Sequence, residues 1–187
     1  MKRRGKIRGL VWLAAALTLA VALGLCARQW AFGTLRVAGT SMRNTLTGGD
    51  IALVTRFDYL NGGAPKRFEV VECRFPGRGD TYIKRVIGLP GDTISVKSGV
   101  LYINGEEYDE PFLTAEKTKR FSLASHDFEV TVPEGCYFVM GDNRDNSNDS
   151  RASKVGFIDA GMIEGKVRYI LFPFNRIGSV AGSEVYE

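Results

Sequence analysis

Histidine and cysteine are scarce in this chain, and an excess of positive charge is missing over most of it. One histidine, His126, stands among 187 residues. Nothing beside it in Ser125-His126-Asp127-Phe128 reads as a catalytic pair, so a serine nucleophile here needs a different base. The three cysteines form no CxxC spacing of a metal or redox motif. Cys26 falls in an apolar run, which leaves Cys73 and Cys136 able to pair in an oxidising compartment; two buried thiols are the stronger expectation. The formal charge of +4 includes Lys2, Arg3, Arg4, Lys6 and Arg8, and setting these aside leaves 20 Lys and Arg against 21 Asp and Glu. That remainder has no basic excess with which to hold a polyphosphate, so nucleic acid is not an expected partner. The acidic loop from Asp145 fails as an EF-hand, because Ser150 stands where glycine is needed and Gly156 where the bidentate glutamate belongs. No metal and no cofactor is expected.

What is present begins with residues 9–27, a run with no charged side chain. As a helix it would span roughly 28 Å, close to the hydrocarbon thickness of a bilayer. It is too long for the apolar region of a cleaved signal, and Leu25-Cys26-Ala27 is not a small-x-small cleavage site. The expectation is an uncleaved transmembrane anchor, with residues 1–8 as a cytoplasmic basic tail and 28–187 as an extracytoplasmic domain. In that domain DIALVTRF, FEVVECRF, TYIKRVIGL, TISVKSGVLYING, FEVTVPEGCYFVMGD and KVRYILFPF are rich in Val, Ile, Tyr, Phe and Thr and are separated by Gly, Pro, Asp and Asn. No stretch after residue 30 keeps a helical period. The fold class is therefore mainly β, an antiparallel sheet domain with few short helices and an inserted ribbon or loop region over 98–133 that carries the charged run Glu116–Arg120.

Three stretches exceed this strand-and-turn background: GTSMRNTL at 39–46, YIKRVIGLPGD at 82–92 and GDNRDNSNDSR at 141–151. Each has a plain reading as a turn, a solvated strand face or a polar loop. In YIKRVIGL, however, alternation puts Lys84 on one face with Tyr82 and Val86 and puts Ile83, Arg85 and Ile87 on the other. A lysine so flanked is partly desolvated, and burial lowers an amine's pKa toward that of a usable base. In the acidic loop, Asp149 with Arg151, or Asp142 with Arg144, could pair to fix its shape. Arg78-Gly79-Asp80 reads as a turn.

Together with Gly49-Asp50 and Val155-Gly156-Phe157-Ile158, these stretches resemble in order and spacing the boxes of bacterial type I signal peptidases. The resemblance spans nearly the whole chain, from the basic N-terminus and single anchor onward. It implies a coiled antiparallel β-domain and a Ser-Lys peptidase that removes signal peptides from exported preproteins after small-x-small (Ala-x-Ala) sites. By that resemblance Ser41 is the nucleophile and Lys84 its general base. Ser147 orients the lysine, Asp149 and Arg151 form a supporting ion pair, and Leu35, Val37, Met42 and Ile83 line the substrate pockets. The implied partners are signal peptides and the lipid bilayer, with the enzyme acting as a monomer. Two positions depart from many members: Asn44 stands where proline is common, and Gly39 where some carry a serine whose hydroxyl helps hold the oxyanion. A catalytically silent relative would be expected to have lost Ser41 or Lys84, a histidine-based relative would lack Lys84, and a self-cleaving repressor would carry a DNA-binding half.

Overall fold

The computed structural model describes residues 11–22, 24, 31–43, 45–108, 110, 113 and 127–182. Residues 11–22 are helical and exposed along their length. Among the described residues no helix is long and apolar enough to cross a membrane; residues 9, 10, 23 and 25–27 of the expected anchor lie outside them, as do the basic tail, Asn44, the run Glu116–Arg120 and His126.

The remainder is mainly antiparallel β-structure, with four short 3-10 helices among the described residues. The main sheet is built from β1 (Phe32–Arg36), β2 (Ile51–Thr55), β3 (Val70–Arg74), β4 (Thr81–Gly88), β9 (Cys136–Met140), β10 (Ile158–Asp159), β11 (Ile163–Phe172) and β12 (Gly178–Ser179). Its order is β1-β2-β11-β3-β4-β9-β10, with β12 paired to β11. A smaller sheet takes β5 (Thr93–Lys97), β6 (Val100–Ile103), β7 (Glu106–Glu107) and β8 (Phe128–Thr131) in the order β7-β6-β5-β8. The expected insertion, 98–133, thus supplies three strands of this sheet, while β5 lies ahead of it. Phe172-Pro173 is a cis peptide.

Alternation along the strands sorts the core into three clusters. Phe68, Ile87, Ile94, Val96, Phe138 and Met140 fill the space between the sheets. Met42, Leu46, Ala52, Val54, Val70 and Val167 fill the concave side of the main sheet. Val71, Cys73, Phe75, Val86, Val139 and Ile158 pack on its other side. The long strand β11 pairs with β3 through its first half and with β2 through its second, with three register shifts along the way. Such bulges bend a strand and increase its twist. The sheet curls so far that β1 and β4, separated by three strands in its order, border one groove. Cys73 is buried and Cys136 half-buried, and both are free thiols.

Beside this groove a buried ion pair ties five chain segments together. Arg85 of β4 donates from Nε and Nη2 to Asp142 at 2.8 and 2.6 Å, from Nη1 to the carbonyls of Phe68 and Ala181 at 2.7 Å each, and from Nη2 to Thr45 Oγ1 at 3.2 Å. Neither side chain of the pair reaches solvent. Asp142 therefore pairs with Arg85, not with Arg144. Losing one partner strands the other charge in the interior. Arg85→Met is expected to lower the unfolding free energy by about 3–5 kcal/mol in a urea titration. Adding Asp142→Leu is expected to cost less than the two single changes combined. A loss below about 1 kcal/mol for Arg85→Met would show the tie to be dispensable.

Candidate active site

Ser41 sits on the loop between β1 and β2. Val37 and Asp50 close the base of that loop: the Val37 N–H donates to the Asp50 carbonyl and the Gly49 N–H to the Val37 carbonyl, both at 2.8 Å. Inside it the chain turns tightly after the serine, where the N–H groups of Thr45 and Leu46 donate to the Met42 carbonyl at 2.9 and 2.7 Å. The turn is stapled from outside by the acidic loop. Asn143 donates its backbone N–H to the Ser41 carbonyl at 2.9 Å and its side-chain amide to the Thr40 carbonyl at 3.0 Å, and the Asn146 amide reaches Thr40 Oγ1 at 3.1 Å. The Ser41 N–H itself has no acceptor among the described residues. It is available to a developing oxyanion.

Lys84 meets this serine from β4. Its Nζ is 2.7 Å from Ser41 Oγ and 3.0 Å from the Ile83 carbonyl. The residue is 2% exposed. On its own face, as the alternation required, lie Tyr82 and then Phe75, whose rings stack at 4.1 Å and stand 5.9 and 5.8 Å from the amine. Burial drives the Lys84 pKa below the ordinary lysine value of 10.5; the carboxylates of Asp149 and Asp142 pull the other way and burial wins. Cys73 lies nearby, but burial pushes its thiol up to about 12, so it remains protonated and inert at neutral pH. A desolvated amine within hydrogen-bond reach of a hydroxyl is a nucleophile-base pair.

The acidic loop completes the surroundings. Arg151 grips Asp149 through Nε at 2.8 Å and Nη2 at 2.9 Å, and Asp149 also accepts the Gly141 N–H at 3.0 Å. Burial pushes the Asp149 carboxyl up, but the Arg151 fork, the Gly141 N–H and the nearby Ser147 hydroxyl together hold it below the usual carboxylate range. Ser147 Oγ adds to that field without a well-formed hydrogen bond: it is fully buried and has no partner in hydrogen-bonding geometry, so the expected Ser147 to Lys84 bond is not made here. The hydroxyl packs against Gly141. A Cβ at Gly141 would overlap Ser147 Oγ and lie 2.5 Å from the Ser41 carbonyl, so only glycine lets the loop approach the nucleophile. Arg144 forms a two-pronged pair with Glu110, one prong at 2.6 Å, and donates to the Gly141 carbonyl at 3.1 Å. This ties the inserted region to the active-site loop.

The groove beside the pair has a volume of about 270 Å³. Its lining includes Leu35, Val37, Met42 and Ile83, the four expected pocket residues, along with Ser41 and Lys84. Gly39 also borders it, with open space where a side chain would stand. Met42 is buried and its Sδ accepts the Asp142 N–H at 3.4 Å. Among the described residues no group of His, Cys, Asp and Glu is arranged to hold a metal.

Residues 10–172 match the family model described as signal peptidase, peptidase S26. The chain belongs to this family of serine peptidases. It is 41% identical over 167 residues to signal peptidase I of Bacillus licheniformis, covering 87% of this chain and 88% of that one. To signal peptidase I S of Bacillus subtilis it is 38% identical over 178 residues, covering 92% and 94%. A crystal structure of a signal peptidase I from Enterococcus faecalis shares 37% identity, covers 55% of this chain and 95% of that one, and aligns with a TM-score of 0.47. The protein is accordingly a hydrolase of the signal peptidase class.

Sequence reasoning missed the pairing of Arg85 with Asp142, which needs the β4-β9 register, and Glu110, which lies in a region read only as a ribbon. Their one signal was ionisable side chains inside apolar or glycine-rich boxes. The burial of Lys84 carries a measurable consequence. Between its lowered folded pKa and 10.5 the unfolded chain holds a proton that the folded chain does not, so Lys84 makes stability rise with pH across that window. Lys84→Met should be at least as stable as the parent at pH 7 by thermal unfolding, with the advantage shrinking toward pH 10. An advantage that grows with pH would contradict a lowered lysine pKa.

Proposed function

We propose that this protein is a membrane-anchored endopeptidase that removes signal peptides from exported preproteins after small-x-small sites, using Ser41 as nucleophile and Lys84 as general base. The observation that carries the reading is the 2.7 Å approach of Lys84 Nζ to Ser41 Oγ at the wall of an apolar groove. Neutral Lys84 takes the hydroxyl proton as Ser41 Oγ attacks the carbonyl carbon of the scissile bond, giving a tetrahedral oxyanion and a lysine ammonium. The ammonium then protonates the departing amine as the peptide bond breaks, leaving an acyl ester on Ser41. Lys84, neutral again, takes a proton from the water that attacks the ester, and the ammonium returns it to Ser41 Oγ as the ester C–O bond breaks, which releases the signal peptide's new carboxyl end and restores the serine hydroxyl. The Ser41 N–H supplies the first oxyanion donor. Ser147, packed on Gly141 with an uncommitted hydroxyl, turns to Lys84 once substrate closes the groove, and the Asp149-Arg151 pair holds the loop that carries it.

Leu35, Val37, Met42 and Ile83 make walls that admit small side chains and reject larger ones by contact. The substrate lies extended between β1 and the first half of β4, whose far edge is open because β9 pairs only from Arg85 onward. The apolar segment 9–27 crosses the bilayer with the basic tail inside and the catalytic domain outside. Phe172, Phe174 and Ile177, exposed on the domain (Phe174 by 79%), rest against the lipid. The enzyme works as a monomer without cofactor.

With a preprotein carrying an Ala-x-Ala site, Ser41→Ala and Lys84→Ala should each lose about 10³-fold or more in kcat while remaining folded. The parent's kcat/KM should fall with unit slope as pH drops through the lowered Lys84 pKa. Equal turnover by parent and either variant would sink the dyad. Gly39→Ser, which places a hydroxyl in open space beside the nucleophile, should raise kcat with little change in KM. An unchanged kcat would show that the oxyanion is already fully held.

A further inference from the structure

One carboxylate stands among the apolar side chains of the groove. Glu72 of β3 is 6% exposed, lines the groove and is the register partner of Ile83 on β4, so the two side chains share a face. Its Oε2 accepts from Arg56 Nη2 at 3.2 Å, a contact at the long end of the range, and its Oε1 has no hydrogen bond among the described residues. The Arg56 side chain is 38% exposed, so one side of its charge is already satisfied by water. Its guanidinium runs beside Gly33 of β1, where a Cβ would stand 2.8 Å from Nη1. A carboxylate in an apolar cleft with one imperfect partner is an under-satisfied acceptor. Burial accordingly pushes its acid up, with Arg56 opposing and Glu164 reinforcing.

The position of Glu72 relative to the dyad says what it can touch. In an extended peptide, side chains two residues apart share a face and stand about 6.6–6.8 Å from one another. With the scissile carbonyl at Ser41, the side chain of the residue that carries it falls by Met42. The side chain two residues upstream then enters the groove on the side of Ile83 and Glu72. We propose that Glu72 is a specificity-determining residue that selects, at this upstream position, a side chain bearing a hydrogen-bond donor (hydroxyl, amide or ammonium) over an aliphatic one of the same size. The donor fills the open Oε1, whereas an aliphatic side chain covers the carboxylate and strips it of water. An acidic side chain there meets a like charge. This rests on the reading of the groove as the peptidase's substrate site.

The test uses the full-length enzyme in detergent and four preproteins alike except at that position, which carries Ala, Val, Thr or Glu. Val and Thr have the same shape, so their ratio reports the hydroxyl alone. The parent should favour Thr over Val by roughly tenfold in kcat/KM, as for a hydrogen bond to a charged acceptor, and should cleave the Glu substrate worst. Glu72→Val should bring the Thr to Val ratio to one or below, and Glu72→Gln should keep a Thr preference while relieving the penalty on Glu. Equal use of Val and Thr by the parent, or a ratio that Glu72→Val leaves untouched, would overturn the assignment. The parent series alone decides the matter should Glu72→Val fail to fold. The Ala substrate separates the two levels: cleavage of it with no Thr preference defeats only the role of Glu72, whereas no cleavage of it defeats the peptidase reading and this selectivity with it.

Discussion

An amine withdrawn from water and set against a serine hydroxyl is the constraint around which this domain is built. Lys84 in solution would be protonated; burial on β4 lowers its pKa and so favours the neutral amine that the proposed base requires. That burial works against folding, because the chain gives up ammonium hydration at a place it could have filled with an apolar side chain. The rest of the site is arranged so that the amine stays dry without meeting a full charge partner. Phe75 and Tyr82 screen it from one side. Asp149 and Asp142 are close enough to oppose the effect, but each is already engaged by an arginine, Asp149 by Arg151 and Asp142 by Arg85. Were either carboxylate released, it would stabilise the ammonium and pull the lysine's pKa back up.

Strand β4 concentrates this work through its alternation. Ile83 faces the groove, Lys84 leaves the strand on the face of Tyr82 and Val86 with its amine reaching Ser41 at the groove wall, and Arg85 returns to the first face to reach Asp142. Three successive residues thus supply a pocket wall, a base and a structural tie. A register slip of one residue would move Arg85 to the position of the base, where a guanidinium cannot deprotonate. The pairing of Val71 with Lys84 and of Arg85 with Met140 fixes that register from both sides.

Much of this was legible from local patterns. The mainly β class followed from short β-branched runs between turn residues, and the facing of Lys84 followed from a period of two. The Asp149-Arg151 pairing was visible because the partners are two residues apart. The choice of partner for Asp142 was not. Sequence proximity favoured Arg144, but Arg85, 57 residues away, is brought to it by the β4-β9 pairing, and Arg144 turns instead to Glu110, 34 residues away. A charge's nearest partner in sequence is a poor guide wherever strands, not helices, set the neighbours. Ser147 shows a different limit: its place beside Gly141 is fixed by close packing, while its hydroxyl has no hydrogen-bond partner among the described residues.

Glu72 marks where pattern reading stops altogether. In FEVVECRF it is one more charged residue, and alternation sets it on a mixed face with Phe68, Val70 and Arg74 that pattern alone assigns neither to core nor to solvent. The curl of the main sheet decides the matter. Because β11 shifts register as it passes from β3 to β2, the face that carries Val70 and Glu72 becomes concave and closes over the groove. The same curl brings Arg56 and Gly33 within reach of it, from strands that no local pattern connects. The apolar lining residues Leu35, Val37, Met42 and Ile83 could be named from the family resemblance. A polar preference can arise only from long-range closure, because a carboxylate remains in an apolar cleft only where a distant arginine and a missing side chain make room for it.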